Sequence, residues 1–224
     1  MKIIARIHND FKEKFGIPRQ SGLSGELKSR IVFEPEYRNP DALRGIDGYS
    51  HLWLIWQFSQ SLREGWSPTV RPPRLGGNKR MGVFATRSPF RPNPIGLSSV
   101  RLLEVIQTKN EGTVLIVSGA DLLDGTPIYD IKPYIAYSDC HQDAVSGFAE
   151  PVQDYHLDVD FCKELLSKIH ISKQKALIEI LRQDPRPSYQ NDPDREYGMR
   201  FGDYEIFFRV SGDLLTVTRV EEAK

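Results

Sequence analysis

The sequence contains little cysteine and no long hydrophobic run, and each absence narrows the class of protein. Its 224 residues include two cysteines, Cys140 and Cys162, which are too few for a disulfide framework and fit the reduced thiols of a cytoplasmic protein. No run of about eighteen apolar residues occurs, so no membrane span is expected. Residues 1–15 carry charges throughout and lack the apolar core of a secretory signal. We therefore expect a cytoplasmic protein.

The common sequence motifs for nucleotide and metal binding are also missing. No GxGxxG follows a predicted strand and no GxxxxGK[ST] occurs, which argues against a Rossmann site and a P-loop. The five histidines lie apart in the sequence, and Cys140-His141 does not have the spacing of a zinc site. The sequence thus predicts no bound metal, and a nucleotide-containing ligand would have to be held by turns.

Charge is balanced overall, with thirty basic and thirty acidic residues, but it is unevenly distributed. Residues 65–103 contain seven cations and no acid, whereas residues 121–160 contain nine acids and one lysine. Either the two segments are neighbours whose charges cancel, or the first forms a basic face for a polyanion and the second an acidic region near a cationic group. The seven cations are Arg71, Arg74, Lys79, Arg80, Arg87, Arg91 and Arg101.

Short β-rich segments separated by Gly-, Pro- and Asn-rich turns dominate the first 140 residues. Many short strands without intervening helices favour a barrel or a sandwich over a doubly wound α/β sheet. The hydrophobic content of 39% is sufficient for a sizeable core. The predicted strands cover residues 3–7, 27–33, 51–58, 81–86, 97–105, 114–123 and 131–135.

The composition changes after Asp139. Residues 141–157 are mixed and polar and are predicted to be a linker, and residues 158–182 have helical spacing, with Ser172 as a predicted cap of a second helix. Two β-rich runs joined by Ser211-Gly212-Asp213 then predict a hairpin. We therefore predict a β-barrel domain over residues 1–140 and a small α+β domain over residues 158–224.

Four polar stretches could carry chemistry: residues 8–15, 49–53, 87–100 and 121–134. Three of the four have a purely structural alternative. An Asx-turn explains the first, a satisfied histidine at a strand start explains the second, and an Asp-Gly turn explains part of the fourth. The third stretch, RSPFRPNPIGLSSV, is harder to explain, because an ordinary hairpin needs neither three prolines nor two arginines.

Several longer stretches resemble one known family. The stretches RPPRLGGNKRMGVFATRSPFRPNPIGLSSVRLLEV and DLLDGTPIYDIKPYIAYSD closely resemble the TsaA-like, or TrmO, family of tRNA methyltransferases. FKEKFGIPRQSGL, LRGIDGYSHLWLIWQF, QDPRPSY and REYGMRF fit the same family, so the resemblance covers nearly the whole chain. It implies a β-barrel, S-adenosylmethionine-dependent enzyme that forms a homodimer and methylates N6 of N6-threonylcarbamoyladenosine at position 37 in a tRNA anticodon loop, giving m6t6A. The alternative is a non-catalytic barrel protein that binds tRNA or a nucleotide.

The resemblance also implies which residues form the site. His8-Asn9-Asp10 departs from the Arg-Ser-Pro that bacterial members often have. The candidates for catalysis are Asp124 and Tyr134. Those for tRNA binding are Arg74, Lys79, Arg80, Arg91, Arg186 and Tyr197. Those for cofactor binding are Asn9, Asp10, Phe11, Ser50, His51, Arg87, Leu97, Gly125, Thr126, Pro127 and Ile128.

The proline-rich loop has a physical role under this interpretation. Proline fixes φ, so Pro89, Pro92 and Pro94 leave the loop little entropy to lose when a ligand binds. We expect Arg87 to lie against the cofactor and Arg91 to lie near the threonyl carboxylate or a phosphate, because guanidinium groups pair with both. We also expect the turns that carry the cofactor candidates to converge on one pocket.

Overall fold

The computed structural model describes residues 1–72, 79–148, 155–186 and 192–223, and the chain is mainly β, as predicted. None of the helices in these residues is long and apolar enough to cross a membrane. Arg74, one of the tRNA candidates, lies outside the described residues.

Six antiparallel strands form a closed barrel in the N-terminal part of the chain. The strands are β1 (Ala5–His8), β2 (Lys28–Phe33), β3 (His51–Gln57), β6 (Ile95–Thr108), β7 (Gly112–Ser118) and β8 (Pro127–Pro133). Their order around the barrel is β1-β2-β7-β6-β3-β8, and Ala5 of β1 pairs with Ile128 of β8, which completes the ring.

Strand β3 shows how the sequence alternation builds this barrel. Leu52, Leu54 and Trp56 are buried in its core, whereas Trp53 and Ile55 face the other side and are half-buried. Residues after β8 cover part of that outer face, because the Trp53 indole donates a hydrogen bond to Asp139 Oδ2 at 2.9 Å. A single chain can therefore accommodate a strand that is apolar on both faces.

Several of the strand predictions differ from the structure, and the strand predicted at residues 114–123, for example, is β7, which ends at Ser118. Within residues 81–86, β5 (Met81–Gly82) pairs only with β4 (Thr69–Val70), and a 3₁₀ turn follows at Val83–Ala85. The strand predicted at residues 131–135 is β8, which begins four residues earlier at Pro127. Pro127 is tolerated there because proline can occupy the first position of a strand.

The C-terminal part is a four-stranded sheet that packs on helices. Its strands are β9 (Asp158–Asp160), β10 (Tyr197–Phe201), β11 (Tyr204–Ser211) and β12 (Leu214–Glu222), in the order β10-β11-β12-β9, with β9 parallel to β12. Two short helices, α1 (Ala136–Asp139) and α2 (Lys163–Leu166), precede α3 (Ile171–Arg182), which buries Ala176, Leu177, Ile180 and Leu181.

The predicted hairpin is confirmed, since β11 and β12 pair around residues 211–214. The predicted cap of α3 is wrong by two residues. The cap is His170, whose side chain accepts a hydrogen bond from the backbone N–H of Ser172. A histidine nitrogen can thus cap a helix where the sequence suggested a hydroxyl.

Residues 9–27, here called the crossing segment, connect β1 to β2 and join the two parts of the chain. Phe11 and Leu27 are fully buried in the C-terminal core, where the Phe11 ring lies edge-on to the Phe201 ring. The Lys173 ammonium lies 2.8 Å from Asp10 Oδ1. The hydrophobic core of the C-terminal sheet therefore includes residues from the N-terminal part of the sequence.

Candidate functional site

A cavity of about 810 Å³ opens between the crossing segment and the long connection from β3 to β6. We call that connection, residues 58–94, the cavity loop. Its residues 73–78 are not among the described residues. The size is within the range of small-molecule sites. The lining residues used below are Gln20, Trp53, Trp56, Phe58, Phe84, Arg87, Pro89, Arg91, Leu97, Asp121 and Thr126.

A glycine makes room for the aromatic wall of the cavity. A Cβ atom at Gly96 would lie 2.2 Å from the Trp56 ring, so the indole can lie across the strand only because position 96 has no side chain. The Trp56 and Phe58 ring centroids are 4.3 Å apart. Together they give the cavity an apolar surface on which a flat ring can pack.

A buried hydrogen-bond chain leads from this wall to a carboxylate. The Trp56 indole donates to Ser98 Oγ at 2.9 Å, and the Ser98 hydroxyl donates to Asp121 Oδ1 at 2.5 Å. Burial raises the pKa of Asp121 above its ordinary value, against the opposing effects of the Ser98 hydrogen bond and the Arg87 charge. Asp121 is thus a desolvated acid beside the cavity, where a cationic ligand group would favour its ionised form.

Two arginines face the same cavity. The Arg87 guanidinium donates a hydrogen bond to Gln20 Oε1 of the crossing segment. The Arg91 guanidinium donates to the backbone carbonyl of Thr86 at 3.2 Å, and the Arg91 N–H donates to the carbonyl of Pro89 at 3.0 Å. These bonds hold both cations at the cavity, and their contacts with the cofactor and with an anionic group of the substrate stay predictions.

The structure brings together only some of the cofactor candidates. Arg87, Leu97 and Thr126 line the cavity. The expected convergence of all the turns on one pocket is not found, because the remaining candidates do not line it, although they lie in the described part of the chain. They are Asn9, Asp10, Phe11, Ser50, His51, Gly125, Pro127 and Ile128, and for these a cofactor contact stays a prediction.

The candidates near the start of the crossing segment have structural partners. The Asn9 side chain donates to the carbonyl of Leu122 at 2.8 Å and accepts from the N–H of Phe11 at 2.9 Å, which is the Asx-turn alternative. Asp10 pairs with Lys173, and Phe11 belongs to the C-terminal core. The polar atoms of Asn9 and Asp10 are thus already satisfied by the protein.

The other cofactor candidates that do not line the cavity also have structural surroundings that account for them. The Ser50 hydroxyl and His51 Nδ1 are 2.9 Å apart at the start of β3, whereas cavity residues Trp53, Trp56 and Gln57 lie further along the strand. Gly125 has φ +74°, which fits the turn alternative, and Ile128 is fully buried in the barrel. Pro127 pairs with Arg6 of β1 at the position where β8 begins.

Neither catalytic candidate lines the cavity. Asp124 lies 2.8 Å from the Lys12 ammonium and 3.5 Å from His8 Nδ1. Although burial raises the pKa of Asp124, hydrogen bonds from Lys12 and the Asn9 N–H hold it below its ordinary value. The Tyr134 ring packs 5.4 Å from that of Trp53, between centroids, and burial raises the pKa of its hydroxyl.

The tRNA candidates divide into exposed and buried residues. Lys79 and Arg80 are exposed, and Arg91 lines the cavity. Arg186 is only 6% exposed, with its Nε 2.8 Å from Asp184 Oδ1, and Tyr197 is buried in the C-terminal core. For Arg186 and Tyr197 a tRNA contact stays a prediction, and neither side chain is on the surface.

Sequence reasoning missed several residues of the cavity, above all Gln20, Trp56 and Asp121. Each lies within a stretch that was singled out, but nothing local distinguishes it, because its partners are distant in sequence. Asp121 is reached through Ser98, and Gln20 through Arg87. Within the described ranges, no group of three His, Cys, Asp or Glu side chains could hold a metal ion.

A mainly-β chain with a ligand-sized cavity, an aromatic wall, three arginines and a half-buried carboxylate has the features of a protein that binds a small molecule carrying charges of both signs. Comparison with known families specifies the class further. The model described as "tRNA-methyltransferase O N-terminal domain" matches residues 6–140, and that described as "TrmO C-terminal domain" matches residues 154–223. The chain belongs to the TrmO family.

Individual relatives agree with this assignment. The chain is 41% identical over 216 residues to a "tRNA (adenine(37)-N6)-methyltransferase" of Escherichia coli, covering 93% of this chain and 92% of the relative. It is 42% identical over 226 residues to a "putative S-adenosylmethionine-dependent methyltransferase RcsF" of Pseudomonas aeruginosa, covering 97% and 95%. A crystal structure of TrmO from Pseudomonas aeruginosa superimposes with a TM-score of 0.76 at 33% identity, covering 98% of this chain and 97% of that one.

Proposed function

We propose that the chain is an S-adenosylmethionine-dependent tRNA methyltransferase that acts on N6 of the adenosine at position 37. The observation that carries the proposal is the family match over both parts of the chain, together with relatives named for this activity. In the finer form of the proposal, the adenosine already carries an N6-threonylcarbamoyl group and the product is m6t6A.

The cavity fits S-adenosylmethionine in size and in chemistry. Its volume of about 810 Å³ is ample for the molecule. The faces of Trp56 and Phe58 suit an adenine ring, the Asp121 carboxylate suits the cationic part, and Arg87 suits the carboxylate of the amino acid tail. When bound, S-adenosylmethionine would supply a methyl group on a cationic sulfur, with the sulfur–carbon bond breaking as the N6–carbon bond forms and the N6 proton passing to water.

The residues of the chain would mainly position the substrate. In N6-threonylcarbamoyladenosine, N6 lies between a purine and a carbonyl, so it is far more acidic than a simple amine and needs little base strength. Alignment for in-line attack could then supply much of the rate, up to about 7–11 kcal/mol in favourable geometries. Asp121 would hold cationic charge close to the reacting atoms. The catalytic candidates Asp124 and Tyr134 lie outside the cavity lining.

Arg91 is the proposed partner of the anionic group on the substrate. Its guanidinium is held at the cavity rim by the carbonyl of Thr86, and it has donors to spare for a threonyl carboxylate or a phosphate. The exposed Lys79 and Arg80 of the cavity loop would add contacts to the RNA backbone. The partner is therefore the anticodon loop of a tRNA.

The remaining parts of the proposal concern assembly and location. We expect a homodimer in the cytoplasm and no bound metal. The alternative function, a non-catalytic protein that binds tRNA or a nucleotide, is favoured by the basic loop alone and has no need of the cavity.

Two measurements separate these functions. S-adenosylmethionine should raise the melting temperature of the purified protein, because a ligand that binds only the folded state stabilises it. Incubation with this cofactor and tRNA from cells lacking the protein should then yield m6t6A, detected by nucleoside mass spectrometry. If neither a thermal shift nor a methylated nucleoside is observed, the methyltransferase proposal fails and the non-catalytic binding function remains.

A further inference from the structure

The cavity loop exposes large aromatic side chains that nothing in the proposed function has used. Trp66 is 53% exposed and Phe84 is 70% exposed, and their ring centroids are 5.9 Å apart with 33° between the planes. Phe90 is 38% exposed, and the Arg63 guanidinium lies over its ring at 3.9 Å from the centroid. The cavity loop thus exposes two aromatic pairs, Trp66–Phe84 and Arg63–Phe90, and exposed apolar surface of this kind indicates a binding site.

This aromatic surface is continuous with the mouth of the cavity. Phe84 itself lines the cavity, and so do Pro89 and Arg91, the neighbours of Phe90 on either side. Trp66 contacts Phe84 but does not itself line the cavity. A molecule whose one end occupies the cavity can therefore reach the exposed ring of Trp66 by way of Phe84.

The charge around these rings identifies the kind of molecule. The cavity loop contains seven cations and a single acid, Glu64. In its described part, the exposed cations include Arg63, Arg71, Lys79 and Arg80. A second copy of the chain that met this surface with the same surface would bring like charges together, whereas a polyanion would be attracted. Flat faces next to cations match unpaired nucleotides, whose bases stack and whose phosphates are negative.

We propose that Trp66, Phe84 and the Arg63–Phe90 pair form a stacking surface for the unpaired RNA nucleotides that flank the methylated adenosine. The proposal rests on the proposed function and adds where the neighbouring bases go. For N6 of one base to enter the cavity, that base must leave the stack of the loop, which has an energetic cost. The exposed rings replace the lost stacking for the neighbouring bases and so offset part of this cost.

The test uses Trp66→Ala, Phe84→Ala and their combination in the full-length protein, with Trp66→Phe as the conservative variant. Tyr137→Ala is the matched control, because Tyr137 is 92% exposed and lies after β8, outside the cavity loop. The dissociation constant is measured for a synthetic anticodon stem-loop RNA that carries 2-aminopurine beside position 37. The thermal shift produced by S-adenosylmethionine is recorded for each variant.

We expect each alanine variant to bind the RNA about tenfold more weakly and to lose fluorescence quenching of 2-aminopurine. Trp66→Phe should restore most of the affinity, and Tyr137→Ala should bind like the wild type. The slope of affinity against salt should be unchanged, because no phosphate contact is removed. The shift with S-adenosylmethionine should also be unchanged in Trp66→Ala, because Trp66 does not line the cavity.

Normal RNA affinity and quenching in the double variant would overturn the proposal. So would a change from dimer to monomer in sedimentation with RNA affinity unaltered, since the rings would then cover an interface between copies of the chain. If the wild type itself neither binds the RNA nor forms the methylated nucleoside, it is the proposed function that fails.

Discussion

The two long connections that border the cavity are built in opposite ways. The crossing segment turns its large side chains inward, with Phe11 and Leu27 buried in the C-terminal core and Asp10 paired with Lys173. The cavity loop turns Trp66 and Phe84 outward and contains three prolines between residues 89 and 94.

This difference shows two ways of shaping one site. The crossing segment is fixed by packing against residues far away in the sequence, so its position depends on the whole fold. The cavity loop relies more on local constraints. Proline rings fix φ, and hydrogen bonds join residues close in sequence, such as the bond from the Phe90 N–H to Ser88 Oγ at 3.2 Å. Substitutions in the first should mainly change stability, and those in the second should mainly change binding and catalysis.

The largest expected effect is that of Phe11→Ala. Removing a buried phenylalanine from the C-terminal core should lower the free energy of unfolding by roughly 3–5 kcal/mol, measured by urea denaturation. Phe84→Ala is the matched control, because Phe84 is 70% exposed and its loss should barely change the denaturation midpoint. Equal destabilisation by the two variants would contradict the claim that the crossing segment contributes more to stability than the cavity loop.

Asp184→Asn should destabilise almost as strongly. The carboxylate binds Arg186 through both oxygens, at 2.8 and 2.9 Å, and the backbone carbonyls of residues 184 and 186 accept hydrogen bonds from Arg19 of the crossing segment. Losing the charge leaves Arg186 buried without a counter-ion, at a cost of about 3 kcal/mol. Asparagine tolerates the positive φ of 50° at this position, so the backbone is not strained further.

The pH dependence of this effect has a definite sign. Burial raises the pKa of Asp184, but hydrogen bonds and charge from Arg186 hold it below its ordinary value. The stabilisation is therefore present above the unfolded-state pKa and is lost as the pH falls through the folded-state pKa. The difference between Asp184→Asn and the wild type should shrink in acid. Asp41→Asn, in a surface pair with Arg44, should change stability by less than about 1 kcal/mol at any pH.

Arg87→Ala should act on catalysis instead. Loss of a charge-stabilising donor should remove roughly 2–4 kcal/mol of transition-state stabilisation from kcat/KM, with little change in melting temperature. Methylation of tRNA carrying threonylcarbamoyladenosine is the assay, and Arg101→Ala is the control, because Arg101 is an exposed cation of β6 that does not line the cavity. Near-normal activity of the Arg87 variant would remove the functional explanation of this part of the loop.

Arg91→Ala tests the RNA side of the cavity loop. If this guanidinium binds a phosphate, its loss should reduce the slope of log affinity against log salt concentration by about one unit. If it binds the threonyl carboxylate, the slope of affinity against salt should be unchanged. The preference of the enzyme for tRNA with N6-threonylcarbamoyladenosine over tRNA with unmodified adenosine should then fall. An unchanged slope together with unchanged discrimination would show that Arg91 contacts neither group.

Asp121→Asn has the smallest expected effect on stability, and its direction is unusual. Because burial raises the folded-state pKa of Asp121, its contribution to stability is present below the unfolded-state pKa and is lost as the pH rises through the folded-state pKa. The variant should therefore melt at or above the wild-type temperature at neutral pH, with this advantage vanishing in acid, while methylation falls. A lower melting temperature at neutral pH would mean that the Ser98 hydrogen bond outweighs the cost of burying the charge.

The sequence predicted the strands well and the cavity only in part, and the reason is the range of the interactions. Alternation in HLWLIWQF is a local signal, and β3 has the inward and outward faces that it indicates. The proline-rich loop was also recognisable locally, and both of its arginines face the cavity.

The start of the crossing segment illustrates what a local pattern cannot supply. Asn9, Asp10 and Phe11 resembled cofactor contacts, but their partners Leu122, Lys173 and Phe201 lie more than 100 positions away in the sequence. Arg186 looked like a surface cation for the same reason, although Asp184 two residues earlier could have suggested an ion pair. Which charged residues are buried depends on the tertiary fold.

The crossing segment also has a consequence for the order in which the protein is made. Domains generally fold as units during synthesis, the N-terminal one first, but Phe11 and Leu27 pack against residues of β10, β11 and β12, which leave the ribosome long after the crossing segment. Until then these two side chains have no core to enter, and the wall of the cavity that the segment forms is not in place. A nascent chain can close its barrel strands early, but it gains a complete ligand site only after β10, β11 and β12 have been made.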